Sequence, residues 1–449
     1  MNYREFLKSA AHVKPSARQL HTLSEVGFYA FIHFGTNTYM DYEWGYGSED
    51  PKIFSPEPID CDAWVEAIKS AGMKGVVITA KHHDGFCLWQ TEYTEHSVKN
   101  SPYKNGKGDV VKELSQACER GGIEFGFYLS PWDTNSKLYG TDEYNTYYKN
   151  QLKELLTGYG KIFHVWFDGA CGEGPNGKTQ VYDFEGYIEL IRKYQPDATI
   201  FHDTGPDIRW CGNEAGIARH AEWAVVPKEL CPRAEVQTSG ALFEGDLSHM
   251  YNSDNDIGTI SNIIYSKGLV FCPAEVDMSI RQGWFYHSYD EPHSLERLFD
   301  TYVNSVGGNA AFILNIPPMP SGKFDDKDVA RLKELGDKIR ESFSKDFTDE
   351  DGVDIQHEKL YDTQCAYTVT LPNKKKIKYV VLEEDIAQGQ RVESFVISRL
   401  DGFGKWLTVY SGFTIGNKKI CPVDLKTDKI RVHITASRDE TIMKKISIY

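Results

Sequence analysis

Hydrophobic residues in the first three quarters of the chain fall alternately into short β-rich runs and amphipathic helical segments. Apolar residues that recur every three or four positions predict helices, and short apolar runs bounded by turn residues predict strands. Strands are predicted at 28–35, 74–80, 124–130, 162–168, 198–202 and 311–316, with less regular runs at 220–226 and 269–272. Helices are predicted at 61–71, with Asp60 or Asp62 as the N-cap, and at 110–120, 143–156, 184–194, 295–306 and 328–341.

Alternation of strands and helices indicates parallel strands joined by crossover helices. The length would also permit about three ordinary domains. Because about eight strands can be counted, the most economical fold is a (β/α)8-type barrel over residues 1–344. The stretches rich in Gly, Pro, Asp and Asn after residue 203 are then insertions at strand ends, where barrels of this kind carry their sites.

From residue 347 onward the pattern changes to alternating strands separated by turn residues, with no helical period of useful length. Strands are predicted at 367–371, 379–383, 392–399, 406–411 and 429–435. This pattern predicts a C-terminal antiparallel β-sandwich over residues 345–449. Trp406 is its only tryptophan, so we interpret the sandwich as a stabilising appendage to the barrel rather than a sugar-binding module.

Composition narrows the classes of protein. The 449 residues include 50 Lys+Arg and 65 Asp+Glu, a net charge of −15, which argues against a nucleic-acid partner. No apolar run approaches the length of a membrane span, the N-terminus lacks the apolar core of a signal peptide, and nine cysteines are scattered without a C-x-x-C pair. We expect a cytoplasmic protein with reduced thiols and no membrane contact, although a secreted protein without its signal peptide would look the same. Its oligomeric state stays open, with a homo-oligomer as one option.

Polar and aromatic residues follow the predicted strands, and in a barrel such residues converge on one mouth. Aromatic faces pack on the C–H surface of a sugar, while histidine nitrogens and carboxylate oxygens bind its hydroxyl groups. The sequence therefore predicts a sugar site. Its candidate residues are His33, Glu43 and Trp44 after the first strand, His82 and His83 after the second, Tyr128, Trp132 and Asp133 at the third, Trp166 and Asp168 at the fourth, and Arg209 and Glu214 after the fifth.

Cleavage of a glycosidic bond with net retention needs two carboxyl groups about 5 to 5.5 Å apart. Asp168 is our candidate for the attacking carboxylate, because a short side chain at a strand end is rigidly aimed and Gly169 would let a substrate approach closely. The partner must protonate the leaving oxygen and then activate water. Glu214 is the candidate for this role, and Glu222, Glu235 and Glu244 are its rivals.

Three motifs resemble the α-L-fucosidases of glycoside hydrolase family 29: K-H-H-D-G-F at 81–86, F-Y-L-S at 127–130 and V-W-F-D-G at 165–169. The resemblance extends over the whole predicted barrel. It implies a retaining mechanism with Asp168 as the nucleophile. It also implies that fucose hydroxyl groups are bound by His33, Glu43, His82, His83, Tyr128 and Trp166, and that Trp284 covers the methyl end of the sugar.

Two further motifs, S-P-W-D at 130–133 and R-W-C-G-N-E at 209–214, resemble the subgroup that cleaves α-1,3 and α-1,4 fucosyl linkages in branched, Lewis-type glycans. That resemblance places the general acid/base at Glu214, with Cys211 where an aliphatic residue is more usual. The stretch at 382–392 resembles the trailing β-sandwich of the family. Alternatives are a fucosidase of broader specificity, for α-1,2, α-1,6 or aryl fucosides, and a non-catalytic fucose-binding protein.

Each candidate also has a structural interpretation. His33, His82, His83 and Asp168 could be metal ligands, but no H-x-H or H-x-x-x-H pair is present, and adjacent side chains on an extended backbone point apart. We therefore expect neither a metal nor another cofactor. Asp168 could cap a helix, Arg209 could pair with a carboxylate, and Trp132 and Asp133 could be a core residue and a turn residue. The hypothesis is a retaining, exo-acting α-L-fucosidase whose partner is a fucosylated oligosaccharide or glycan.

Overall fold

Strands and helices alternate along the barrel region in the computed structural model, which describes residues 2–247 and 257–449. The strands are β1 (Phe28–Ile32), β2 (Gly75–Lys81), β3 (Glu124–Leu129), β4 (His164–Trp166), β5 (Thr199–His202), β6 (Ile208–Trp210), β7 (Val225–Pro227), β8 (Thr238–Ser239), β9 (Gly268–Phe271), β10 (Ala274–Ser279), β11 (Ala311–Asn315), β12 (Asp354–Tyr361), β13 (Gln364–Glu384), β14 (Val392–Leu400), β15 (Trp406–Gly412), β16 (Lys419–Ser437) and β17 (Met443–Ile448). The helices are α1 (Tyr3–Ala11), α2 (Ala17–Leu20), α3 (Thr36–Met40), α4 (Cys61–Ser70), α5 (Val110–Gly121), α6 (Asp142–Gly158), α7 (Phe184–Tyr194), α8 (Ile260–Ile263), α9 (Leu295–Ser305) and α10 (Asp326–Phe343). A π-helical segment, His21–Val26, leads into β1.

Eight parallel strands close into a barrel in the order β1-β2-β3-β4-β5-β6-β10-β11, and β11 pairs with β1. Successive residues of a strand face opposite sides. In β1, Phe28, Ala30 and Ile32 pack towards the surrounding helices, whereas Tyr29 and Phe31 belong to the cluster inside the barrel. Every residue of β1 and β2 is buried, which explains their unbroken apolar runs. The predicted (β/α)8-type barrel is confirmed.

Two barrel strands differ from those predicted. The runs predicted at 220–226 and 269–272 are wrong as barrel strands, because β7 and β9 lie there and join β8 in a separate antiparallel sheet. The barrel is completed by β6 and β10 instead. In β10, Glu275 accepts a hydrogen bond from the indole of Trp166 inside the barrel, and Asp277 lines a cavity. Inward carboxyl groups interrupt the apolar run that marks a buried strand, so the pattern concealed β10.

The predicted inter-strand helices are confirmed to within a few residues at their ends. Asp60, the first of the two predicted N-cap candidates, accepts a hydrogen bond from the backbone N of Ala63 at 3.0 Å. Gly122, which directly follows α5, is its C-cap and has φ of 68°, a left-handed conformation that glycine adopts without a steric penalty. Of the helices in the described residues, none is both long and apolar enough to cross a membrane.

The C-terminal strands form an antiparallel β-sandwich, as predicted. β13 and β16 are long and pair along most of their length, with shifts of register between Thr370 and Lys375 and between Ile377 and Tyr379. One half of this pair adjoins β12 and β14, and the other half adjoins β17. α10 ends at Phe343 and β12 begins at Asp354. The domain boundary between residues 344 and 345 stays a prediction.

The sandwich is attached to the barrel beside the start of β11. The backbone N of Ile420 donates to the carbonyl of Gly307 at 2.9 Å, and that of Asn309 donates to the carbonyl of Lys418 at 3.1 Å. The backbone N of Asn417 donates to Asn309 Oδ1 at 2.7 Å. Ile420 also packs in the hydrophobic cluster between the barrel strands and their helices. The two units therefore share both hydrogen bonds and apolar contacts.

A buried ion pair anchors the chain that follows β6. Arg209 donates to the Glu222 carboxylate, to the carbonyl of Trp223 at 3.0 Å and to that of Cys272 at 3.1 Å. The two charged side chains are 3% and 0% exposed. Burial raises the pKa of Glu222, but the charges of Arg209 and Arg219 outweigh burial and lower it below its ordinary value. Removal of one partner would leave a buried charge uncompensated.

We expect Glu222→Ala to lower the free energy of unfolding by about 3 to 5 kcal/mol, because Arg209 would lose its buried counter-ion. Chemical denaturation measures this change. Glu66→Ala is the matched control, since Glu66 forms an exposed pair with Lys69 at 3.2 Å and such pairs contribute about 1 kcal/mol or less. Equal effects of the two substitutions would contradict the structural role given to the Arg209–Glu222 pair.

Candidate active site

A cavity of about 260 Å³ opens at the C-terminal ends of the barrel strands. All of the predicted site residues except Trp132, Asp133 and Arg209 line it, so barrel closure brings together residues that are far apart in the sequence. Three further residues, Phe31, Ala170 and Asp277, were not predicted. The full lining is Phe31, His33, Glu43, Trp44, His82, His83, Tyr128, Trp166, Asp168, Ala170, Glu214, Asp277 and Trp284.

Asp168 is held by a hydrogen bond to each carboxylate oxygen. The hydroxyl of Tyr128 donates to Oδ2 at 2.9 Å, and the backbone N of Ala170 donates to Oδ1 at 2.7 Å. A Cβ atom on Gly169 would lie 2.1 Å from an oxygen of Asp203, so glycine here makes room for Asp203. Burial and the charge of Asp168 raise the pKa of Asp203 to about 6. Asp168 is thus a carboxylate with a fixed orientation at the cavity wall.

His33 presents a hydrogen-bond acceptor to the cavity. Its Nδ1 lies 2.8 Å from Asn315 Oδ1. The Nδ2 of Asn315 donates to Ser279 and to the carbonyl of Trp284, which assigns Oδ1 as the acceptor and places the proton of His33 on Nδ1. Burial lowers the pKa of His33 to about 3, although the bond to Asn315 and the charge of Asp168 oppose this shift. The ring is therefore neutral, with Nε2 free to accept.

His83 has the same tautomer for a similar reason. Its Nδ1 lies 2.7 Å from the hydroxyl of Ser130, which itself donates to the carbonyl of Trp132 at 2.7 Å. Nδ1 must then be the donor, and Nε2 faces Asp168 Oδ2 at 3.8 Å. Burial lowers the pKa of His83, although the charge of Asp168 opposes it. Nε2 of His83 is therefore a second hydrogen-bond acceptor of the cavity lining, beside the carboxyl group of Asp168.

His82 presents a hydrogen-bond donor to the cavity, in contrast to His33 and His83. The side-chain nitrogen of Asn37 donates to the carbonyl of Glu43 at 3.3 Å and lies 3.5 Å from His82 Nδ1. A donor at this position favours an unprotonated Nδ1 and a proton on Nε2 of His82. Burial, and then His83 and His33, lower the pKa of His82 well below its ordinary value. The three histidines are thus neutral, with two acceptors and one donor, an arrangement that suits hydroxyl groups better than an anion.

Trp284 connects three parts of the lining. Its backbone N donates to Glu43 Oε2 at 2.9 Å, and its indole Nε1 donates to Glu214 Oε2 at 3.2 Å. Its carbonyl accepts from Asn315, the partner of His33. Glu214 is exposed beyond this bond, so its carboxyl group meets solvent at the mouth of the cavity.

Asp277 and Glu275 were missed because β10 was not predicted as a barrel strand. Asp277 Oδ1 accepts from the indole of Trp210 at 2.8 Å. Burial is the largest cause that raises the pKa of Asp277 well above its ordinary value, which disfavours the charged form of this carboxyl group. Glu275 accepts from the indole of Trp166 at 2.8 Å and from the hydroxyl of Tyr29. Alternating polar and apolar positions in β10 were the available signal.

Three predicted residues lie outside the lining. Trp132 packs against His83 and Trp44, with ring centroids 4.8 and 5.6 Å away, and therefore belongs to the surroundings of the mouth. Asp133 is buried in an ion pair with Lys81 at 3.1 Å. Arg209 is buried against Glu222. Asp133 and Arg209 therefore support the fold around the site.

The rivals of Glu214 also lie elsewhere. Glu222 is buried against Arg209, and Glu235 and Glu244 are exposed and absent from the lining. Over residues 2–247 and 257–449, no three His, Cys, Asp or Glu side chains form a group suited to hold a metal ion. Within the described chain, Asp168, Glu214 and Asp277, together with Glu43, are the carboxyl groups that the cavity presents.

We expect the buried His33 to make stability depend on pH. The unfolded chain binds its proton near pH 6.5, whereas the folded protein binds it only near pH 3, so acidification below about pH 6.5 favours unfolding by up to about 1.4 kcal/mol per pH unit. His33→Asn should remove this contribution. Urea denaturation at about pH 7 and pH 5 should show the wild type losing about 2 kcal/mol more than the variant. Equal losses would contradict a neutral His33.

Known proteins share this architecture and much of the sequence. The α-L-fucosidase family model matches residues 16–341. Alpha-L-fucosidase 1 of Arabidopsis thaliana is 38% identical over 465 residues, which cover 97% of this chain and 87% of the plant protein. A crystal structure of a glycoside hydrolase 29 family member from an unknown rumen bacterium has a TM-score of 0.85 at 36% identity, covering 98% of this chain and 78% of that one.

A Ruminococcus gnavus GH29 fucosidase in complex with fucose has a TM-score of 0.85 at 29% identity, with 98% of this chain and 95% of the bacterial chain covered. The family match spans the barrel, and the relatives extend through the C-terminal sandwich. By this match and by its barrel site, the chain belongs to the α-L-fucosidases of glycoside hydrolase family 29.

Proposed function

We propose that this α-L-fucosidase is a retaining, exo-acting enzyme that releases α-1,3- and α-1,4-linked fucose from branched, Lewis-type glycans. The observation that carries the proposal is that Asp168 and Glu214 line the same cavity, one with both oxygens hydrogen-bonded and the other exposed at the mouth. A volume of about 260 Å³ admits one sugar ring rather than a chain, which supports action on terminal residues.

Asp168 is proposed as the nucleophile. Its hydrogen bonds to Tyr128 and Ala170 fix the carboxylate and stabilise its negative charge. One oxygen attacks the anomeric carbon of fucose, and the bond from that carbon to the glycosidic oxygen breaks. A covalent fucosyl-enzyme results. Water then attacks the same carbon, the bond to Asp168 breaks, and fucose leaves with its original configuration.

Glu214 is proposed as the general acid/base. In the first step it donates its proton to the departing glycosidic oxygen, and in the second it takes a proton from the attacking water. Its bond to the Trp284 indole orients one oxygen and leaves the other available. Exposure at the mouth suits this role, because the remainder of the glycan must leave on that side.

The remaining lining suits a neutral deoxy sugar. His33 and His83 accept, and His82 donates, so the hydroxyl groups of fucose find partners without a formal charge. Phe31 and Trp284 supply apolar surface, which suits the methyl group at C6. The R. gnavus fucosidase of similar fold has a solved structure in complex with fucose, which supports the choice of sugar.

The linkage preference rests on the motif resemblance and on the mouth of the cavity. Trp44 is 60% exposed and makes an edge contact with Trp132, which offers an aromatic surface for a neighbouring sugar of a branched glycan. We expect faster release of fucose from α-1,3- and α-1,4-fucosylated trisaccharides than from α-1,2 or α-1,6 linkages or aryl fucosides. Comparison of kcat/KM over this panel is the measurement. Comparable values throughout would favour the broader specificity.

The two catalytic roles predict different products in azide. Asp168→Ala should lose several orders of magnitude in the rate of trisaccharide hydrolysis, because the covalent step is removed. On an activated fucoside, azide attacks from the face that Asp168 vacates and should give β-fucosyl azide. Asp203→Asn, which changes a neighbouring carboxyl group outside the lining, is the control and should stay within about tenfold of the wild-type rate.

Glu214→Ala should still form the fucosyl-enzyme from an activated fucoside, and azide should then displace Asp168 to give α-fucosyl azide. Release from a trisaccharide should fall more than release from the activated substrate, since only the former needs protonation of the leaving oxygen. NMR of the products identifies the anomer. Near-normal trisaccharide hydrolysis by Asp168→Ala, or azide rescue of Glu222→Ala instead of Glu214→Ala, would overturn the assignment.

A further inference from the structure

His287 lies between two carboxyl groups beside the cavity. Its Nδ1 is 2.5 Å from Asp41 Oδ1, and its Nε2 is 2.6 Å from Glu43 Oε1. The imidazole is 6% exposed, so water does not replace these contacts. Since carboxylates only accept, a ring that bonds to both through its two nitrogens must carry a proton on each. The geometry is that of an imidazolium bridge between the two carboxylates.

The segment that carries His287 also wraps around Glu43. The backbone N atoms of Trp284 and Phe285 donate to the two Glu43 oxygens at 2.9 and 3.3 Å. A Cβ atom on Gly283 would lie 2.5 Å from Glu43 Oε1, so only glycine permits this approach. Glu43 therefore receives three donors from the chain that follows β10, although it belongs to the chain that follows β1.

This contact reaches the rest of the cavity through Trp284. Its indole holds Glu214, and its carbonyl accepts from Asn315, which orients His33. A displacement of the 283–287 segment would therefore disturb Glu43 and Trp284 first, and Glu214 through the indole. Neither Asp41 nor His287 lines the cavity, so both would affect a ligand only through the residues that do line it.

The charged and titratable groups that face His287 favour its protonated form. Asp41 and Glu43 approach it from the chain after β1, Tyr289 stacks on it at 5.2 Å, and Asp290 accepts from the backbone N of Gly283 at 3.1 Å. Burial lowers the pKa of His287, but its hydrogen bonds to Asp41 and Glu43 and their charges outweigh burial and raise the pKa above its ordinary value.

We propose that His287 is a positioning residue of this fucosidase. Its imidazolium bridges Asp41 and Glu43 and thereby holds Glu43 and Trp284 in position at the fucose site. The assignment of Glu43 and Trp284 to fucose binding rests on the proposed function. The bridge is intact below the pKa of His287 and is lost as the pH rises through that pKa, because a neutral ring has one N–H for two carboxylates. Loss of the bridge weakens substrate binding, so KM rises on the alkaline side.

The first experiment measures the charge of His287 without substrate. In ¹⁵N-histidine-labelled enzyme at pH 7, both ring nitrogens of His287 should carry protons and correlate with them in NMR spectra. A neutral tautomer at pH 7 would overturn the proposal. This result does not depend on where fucose binds, so it separates failure of the bridge from failure of the proposed function, which the Asp168 variant tests.

The second experiment follows KM and kcat for a fucosylated trisaccharide. His287→Gln should raise KM about tenfold with a smaller change in kcat, since ground-state binding is weakened more than chemistry. His293→Gln is the matched control, because His293 lies near the same segment and its ring contacts Arg297 instead of a cavity residue. An unchanged KM in folded His287→Gln enzyme would overturn the proposal.

Asp41→Asn tests the bridge with little risk to folding. Asp41 is 62% exposed and has φ of 58°, a conformation that asparagine tolerates. Removal of its charge lowers the pKa of His287, so the alkaline rise in KM should move to lower pH by about one unit while kcat and KM at acidic pH stay as in the wild type. An alkaline limb at the wild-type position would contradict the proposal.

Discussion

Closure of eight parallel strands into a barrel is the constraint on which the rest of the structure depends. A closed parallel sheet brings all of the C-terminal strand ends to one mouth, whatever their separation in the sequence. His33 and Trp284 lie far apart in the chain, yet their rings are 5.1 Å apart. Six of the barrel strands, or the segments directly after them, contribute side chains to the lining, so the site exists only when the register of the whole barrel is correct.

The buried polar groups of a site inside a barrel need hydrogen-bond partners, since an unpaired buried donor or acceptor destabilises the fold. This protein meets the requirement with a second set of polar residues below the lining. Glu275 holds Trp166, Asn315 holds His33, and Ser130 holds His83. Because each partner is itself buried, the lining side chains have little freedom to rearrange. The cavity is therefore preorganised before any sugar enters.

The distribution of charge among the lining residues explains why the cavity suits a neutral ligand. Burial keeps His33, His82 and His83 neutral, so they offer directed hydrogen bonds without attracting an ion. Charge is confined to the carboxyl groups that chemistry or positioning needs. In this setting the net charge of −15 concerns solubility and long-range fields, whereas the reaction depends on a few carboxyl groups in a small volume.

Most helices and six of the barrel strands were predicted from sequence, because their apolar positions follow the period of a helix or form the continuous run of a buried strand. β10 escaped prediction because Glu275 and Asp277 occupy inward positions that are usually apolar. Most of the residues predicted for the site, from their place after strands and from the family motifs, line the cavity. Asp133 and Arg209 lie outside the lining, in buried ion pairs with Lys81 and Glu222, and the sequence alone does not distinguish a charge in such a pair from one in the lining.

The sequence by itself determined the fold class, the family and the side of the barrel on which the chemistry lies, since these follow from local periodicity and from short motifs. Only the tertiary structure decided which polar residues reach the cavity, which tautomer each histidine adopts, and that His287 bridges Asp41 and Glu43. These properties depend on contacts between residues hundreds of positions apart, and the local pattern of a sequence carries no record of such distances.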